Sequence, residues 1–278
     1  MPDQKTYPHT PPEENKSAGR KAVRHLVYYI LAAILIYYFI LASISPVRYI
    51  RSLNSNFTPD SVSLSKTGPE YLTDSLYLDL TGRLAFARAR TRMAATDSIG
   101  ITVSLPDSVI TIEIKGVTVR KIRIVEYSVA GSLRGVEDYT WTRMLAEPFT
   151  VESEIASIPK EPVMVKIAPR DTAEASAMPN IVPDTSGIDP VFFRLHLSKG
   201  LRLTVLQVTG RDSRKDAVAL NRFIYRRKMN DLLVSAKHVA RFRFPPYEPE
   251  IRIVVPKEEA RVIYRAIPVS GEIVLRVK

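Results

Sequence analysis

The chain has 278 residues, 45% of them hydrophobic and 25% charged, with a formal net charge of +11. That length suffices for one large domain or two small ones with real cores. The absence of cysteine excludes disulfides, thiolate nucleophiles and thiolate zinc sites.

Residues 1–25 begin polar and proline-rich and read as a disordered tail. Leu26–Ser45 follows, twenty residues without a charge, a glycine or a proline. As a helix it would be roughly 30 Å long, about one hydrocarbon core. A core helix of a soluble domain would show a polar face, and this segment has none. A cleaved signal fits poorly, because the polar region before it is long and Pro46 would follow the cut. The segment is therefore expected to be an uncleaved transmembrane helix. Lys16, Arg20, Lys21 and Arg24 precede it, against Arg48 and Arg51 after it. That bias places the N-terminus in the cytoplasm and residues 46–278 outside it. Ala32, Ala33 and Tyr37 are the candidate contacts to another membrane helix, because small residues allow close approach and a phenol at mid-membrane depth needs a partner.

Residues 46–70 lack periodicity and read as a juxtamembrane linker. A β-rich subdomain is expected over 71–168. "SLYLDL" (75–80) alternates like a strand. "RLAFARARTRM" (83–93) fits a helix by its alanines and a strand by its alternation. Strands are expected near 99–105, 108–114 and 117–126, turning at Pro106-Asp107 and Lys115-Gly116, as an antiparallel meander with one buried face. A short helix near 135–146 carries Trp141, the only tryptophan, as a core anchor. A further strand is expected at 162–168. Residues 169–190, rich in Pro, Ala, Ser and Asp, read as a linker or long loop.

The range 191–278 is expected to be an α+β subdomain. Two alternating runs flank Ser198-Lys199-Gly200, a hairpin signal. Residues 212–240 read as a long helix, capped by Asp212 or Ser213 and open to a break at Asn230-Asp231. "RFRF", "EIRIVV", "ARVIYRAI" and "GEIVLRVK" all read as strands. The expected fold class is α+β, a strand-dominated antiparallel ectodomain behind a single N-terminal transmembrane helix.

Candidate chemistry is sparse. Ser-x-x-Lys occurs at Ser63–Lys66, running into Lys66-Thr67-Gly68, and at Ser157–Lys160. A serine one helical turn before a lysine would let the amine accept the hydroxyl proton. Ser63 sits in a loop-like stretch, and Pro159 opposes a helix through Ser157. The histidines His9, His25, His196 and His238 are far apart in sequence, and no glycine-rich phosphate loop occurs. No catalytic residue, metal or cofactor is expected. The basic residues are better organised. Lys215, Arg222, Arg226 and Lys237 fall within about 60° on a helical wheel, and Arg88, Arg90 and Arg92 form a second cluster beside Arg83. Both are candidate anion-binding surfaces, or solvated faces whose long stems cover apolar surface.

A basic, anchored protein facing outward points to anionic lipid head groups or an acidic envelope polymer rather than nucleic acid. A cysteine-free ectodomain points to a bacterial envelope and its inner membrane. The expected role is a non-enzymatic structural or interaction subunit of an envelope assembly, with other membrane or periplasmic proteins as partners. The alternatives are a module binding an anionic envelope polymer, and a membrane-tethered Ser/Lys hydrolase.

Overall fold

Turns at glycine start the sheet. The strands are β1 (Ile99–Ser104), β2 (Val109–Ile114), β3 (Val117–Arg123), β4 (Glu126–Val129), β5 (Phe149–Ala156), β6 (Phe192–Leu197), β7 (Leu201–Gln207), β8 (Glu250–Val255) and β9 (Glu272–Arg276). The β2–β3 turn holds Lys115 at φ 51° and Gly116 at φ 78°, the left-handed pair whose twist matches antiparallel strands. The β6–β7 turn repeats this with Lys199 at φ 63° and Gly200 at φ 70°. Both hairpins and the meander β1–β2–β3 stand where the sequence places them. The structure is a computed structural model and describes residues 15–57, 75–160, 189–208 and 214–277. The expected strand at 162–168, the helix cap at Asp212 or Ser213, and most of 169–190 lie outside the described residues.

The nine strands of the described residues form one mostly antiparallel sheet in the order β3-β2-β1-β9-β5-β6-β7-β8-β4. The ranges 71–168 and 191–278 thus contribute strands to the same sheet. Two pairs are parallel, β1 with β9 and β7 with β8. The order begins and ends on one run of chain, 117–129. There the Ile124 amide donates to the Ser108 carbonyl and the Val125 amide to the Val254 carbonyl, 2.8 Å each. One bent strand therefore bonds first to β2 and then to β8, and the sheet curls until its ends meet. A bulge at Val151/Ser153 helps β5 pass from β9 to β6. Ile101, Phe193, Leu203 and Ile253 fill the inside with their neighbours, leaving a void of about 10 Å³. The interior is a packed core with no room for a ligand.

The helices correct several expectations. α1 (Asn15–Phe57) is a single helix of 43 residues. Residues 15–25 are therefore helical rather than disordered, and 46–57 continue the helix rather than forming a linker. Pro46 sits inside it and removes one backbone donor. The helix survives because its far end is packed. Leu53 is in the core, Tyr49 and Ile50 lie against it, and the Tyr49 hydroxyl donates to the Lys199 carbonyl at 2.9 Å. Among the described residues α1 is the one helix long and apolar enough to cross a membrane.

α2 (Ser75–Ala94) takes in both "SLYLDL" and "RLAFARARTRM". The expected strand at 75–80 is a helix. Its leucines alternate, yet the buried stripe of α2 is Ala85, Ala89 and Met93 at four-residue spacing, and tertiary contact with Val274 of β9 selects that period. α3 (Asp138–Leu145) buries Trp141 as an anchor, at 4% exposure. α4 (Arg214–Val239) is unbroken at Asn230-Asp231. It is the crossover that parallel β7 and β8 require. α5 (Lys257–Ala266) replaces the strand expected at "ARVIYRAI". Pro256 precedes it, Glu258 and Glu259 occupy its first turn, and Ala260, Ile263, Tyr264 and then Ile267 are buried at helical spacing. "RFRF" is likewise not a strand: Arg241 and Phe242 belong to the turn that leaves α4, and Arg243 and Phe244 follow it as irregular chain.

Candidate functional site

Beneath α4 the sheet is polar. Leu195, Leu203 and Ile253 point into the core, so their neighbours Arg194, Arg202, Thr204 and Glu250 point outward on β6, β7 and β8. The buried stripe of α4 answers with Asp216, Phe223 and Arg227, and half-buried Asp231 extends it. Phe223 meets Phe192 with ring centroids 6.0 Å apart. Arg227 Nη1 donates to Glu250 Oε1 at 2.6 Å, and Thr204 Oγ1 donates to the same carboxylate oxygen. Arg194 Nη1 donates to both oxygens of Asp231, at 2.9 and 3.1 Å. Arg202 joins Glu248 at 2.6 Å and Asp231 at 3.4 Å, and Glu248 also accepts from His196 Nδ1 at 2.9 Å.

Burial sets the electrostatics of this layer. Arg194 and Arg227 expose 3% and 7% of their side chains. Burial, and then the neighbouring Arg194, press the Arg227 guanidinium below its ordinary pKa, while Glu250 and, more weakly, Asp231 act against them. For Glu250 burial is the largest influence and pushes its pKa up. Thr204, Arg227, Arg194 and Arg252 together outweigh it, so the carboxyl lies below its ordinary value. The Glu248 carboxyl falls to about 2, chiefly through the hydrogen bond from His196, with Arg202 helping against burial. The Nε atoms of Arg194 and Arg227 stay buried without a partner. This layer fastens α4 to the sheet. The sequence reading missed it, because apolar periodicity does not report a helix whose inward face is charged.

The predicted basic ridge flanks this buried stripe, about a quarter-turn round α4. Lys215, Arg222, Arg226 and Lys237 are all exposed. Arg222 and Arg226 line an open groove of about 790 Å³ with Ser157, Asp189 and Met229. The second cluster is dispersed on α2. Arg90 binds Glu113 through two hydrogen bonds of 2.8 and 3.3 Å, Arg92 pairs with Glu147 at 2.8 Å, and Arg88 is exposed. Arg90 and Arg92 thus have carboxylate partners within the chain.

The Ser157–Lys160 pair does not form an amine-to-hydroxyl contact. The Ser157 hydroxyl donates to the Pro190 carbonyl and accepts from the Phe192 amide, while Lys160 donates to Glu154. Ser63 and Lys66 lie outside the described residues. No group of three or more His, Asp or Glu suited to a metal occurs among the described residues.

On α1, Ala32 and Ala33 are exposed, and the Tyr37 ring meets Phe242 at 6.3 Å between centroids. Lower on the helix, the Ser45 hydroxyl donates to the Pro245 carbonyl at 2.8 Å and the Arg48 guanidinium lies 3.9 Å over the Phe244 ring. Comparison with known protein families, curated proteins and solved structures found no match.

Proposed function

We propose that this chain is a single-pass protein of a bacterial inner membrane whose folded domain lies outside the cytoplasm and serves as a non-enzymatic structural or interaction subunit of an envelope assembly. The apolar run of α1 supports the anchoring. Because α1 continues unbroken into the core at Leu53, the domain is held at a set height rather than on a flexible tether.

The observation that carries the interaction reading is β3. Among the described residues it bonds to β2 alone, so its outer edge is unpaired. Val117 and Val119 expose 68% and 62% of their surface, with Ile114 and Val125 exposed nearby. An unpaired edge carrying apolar side chains is suited to strand addition by a partner. The test is a photo-crosslinking residue at Val119 in the full chain in its native membrane. A discrete adduct with another envelope protein is expected. A protein that stays adduct-free, monomeric and partnerless after mild detergent pull-down would remove the reading.

A second reading is supported by the groove beside α4. Arg222 and Arg226 are exposed there on the same side as Lys215 and Lys237, an arrangement suited to the phosphates or carboxylates of an anionic envelope polymer. Retention on such a polymer that does not weaken with salt would dismiss it.

A further inference from the structure

Among the described residues, the segment Arg241–Phe244, which leaves α4 beside α1, holds the only aromatic residue at positive φ. Phe242 exposes 85% of its surface and adopts φ 54°, a left-handed conformation that a bulky residue enters only under strain. Three hydrogen bonds at the end of α4 hold it there. The Phe242 amide donates to the Val239 carbonyl, and the Arg241 and Arg243 amides donate to that of His238. Phe244 is also exposed, and so are Arg241 and Arg243. Folding gains nothing from presenting an aromatic ring to water at the cost of backbone strain.

The position of the turn along α1 supplies the reason. Uncharged residues run from Leu26 to Val47. A hydrocarbon core of roughly 30 Å takes about 20 helical residues, so a core entered at Leu26 is left near Ser45. Phe242 meets Tyr37, eight residues short of that exit, or about 12 Å along the axis. Raising the turn clear of the core would draw Arg24 and the basic residues before it into hydrocarbon. Arg48, stacked on Phe244, marks the polar edge of the same layer. The Phe244 ring under Arg48, just beyond that exit, matches the chemistry of the zone between acyl chains and phosphates, and Phe242 reaches from there into the hydrocarbon.

We propose that Arg241–Phe244 is a second membrane contact, with Phe242 set among the acyl chains, Phe244 at their boundary on the domain side, and Arg241, Arg243 and Arg48 reaching out to lipid phosphates. It rests on the reading of α1 as a membrane span. Two contacts on different elements would fix the tilt of the domain on the bilayer as well as its height.

The chain has no cysteine, so single labels report unambiguously. Phe242→Cys, Leu31→Cys in the span and Val119→Cys on β3 are each labelled with an environment-sensitive fluorophore. The full chain is then reconstituted in phosphatidylcholine–phosphatidylglycerol vesicles containing nitroxide lipids. The expected result is quenching at 242 comparable to that at 31, with none at 119. Quenching at 31 but not at 242 overturns the second contact and leaves the span intact. No quenching at 31 overturns the span, and the second contact with it. Equal quenching at 119 and 242 reveals general adsorption and also overturns the proposal. Phe242 is a surface residue, so thermal unfolding of F242C that matches the parent chain confirms that the label reads a folded protein.

Discussion

Replacing Glu250 by Gln keeps the side chain's shape and removes its charge, which isolates what the charge does beneath α4. At 2.6 Å from Arg227, and with an effective dielectric near 20, the gross attraction is about 6 kcal/mol. Most of that offsets the desolvation of two buried ions. In the variant the Arg227 guanidinium keeps Thr204 at 3.4 Å, while its Nε is already unpartnered. Breaking one side of a buried pair costs about 3–5 kcal/mol. Glu250 is 22% exposed, so the lower end, about 3 kcal/mol, is expected. Arg227→Met combined with Glu250→Gln should recover most of this loss, because the stranded charge is gone. The assay is urea unfolding of the detergent-solubilised full chain, followed by Trp141 fluorescence. Trp141 is the only tryptophan and sits on α3 rather than in this layer. A coupling energy of about 2 kcal/mol is expected from the double-mutant cycle. Additive losses, with coupling under about 0.5 kcal/mol, would refute the idea that Arg227 depends on Glu250.

The Glu248 carboxyl lies at about 2 instead of 4.5, so its stabilising effect is present above the unfolded value and disappears as pH falls from about 4.5 towards 2. That window is worth up to about 3 kcal/mol. His196→Ala should raise the carboxyl towards 4.5 and flatten this dependence; urea midpoints at pH 7 and pH 3 that keep the parent's difference would contradict it. Gly200→Ala should cost about 1–2 kcal/mol, because the turn needs φ 70° and a Cβ there would meet the Tyr49 ring at 3.1 Å. The same urea titration measures it, and an unchanged midpoint would show that the turn relaxes freely. Arg222→Glu with Arg226→Glu should leave stability within about 0.5 kcal/mol, since both are exposed. On a heparin column, used as a polyanion probe, the pair should lose salt-sensitive retention if the polymer reading holds; retention equal to the parent would exclude this ridge.

The misread segments share a cause. "ARVIYRAI" and "SLYLDL" each offer a two-residue and a helical pattern, and short apolar runs do not separate the two periods. α5 was nevertheless legible from Pro256 and the acidic pair behind it. α2 gave a weaker signal, because its buried stripe consists of Ala85, Ala89 and Met93, and alanine marks no face. β5 is barely legible, since Glu152, Ser153 and Glu154 dilute its alternation. The candidate site was half legible: the outward ridge of Lys215, Arg222, Arg226 and Lys237 shows on a helical wheel. The inward Asp216, Arg227 and Asp231 do not, because nothing in α4 reveals that the sheet beneath it is charged.

Local chemistry alone determined the apolar run of α1, the two hairpins turned by Lys-Gly pairs and the helix over 214–239. Each depends on neighbours a few residues apart, where periodicity and backbone preference act directly. Only the tertiary structure decided that β9 lies parallel to β1, that residues 117–129 close the sheet and that α1 passes through Pro46 into the core. It also decided that Phe242 stands beside Tyr37. Those outcomes are contacts between residues far apart in the chain, and their energy comes from surfaces that exist only once the partners have met.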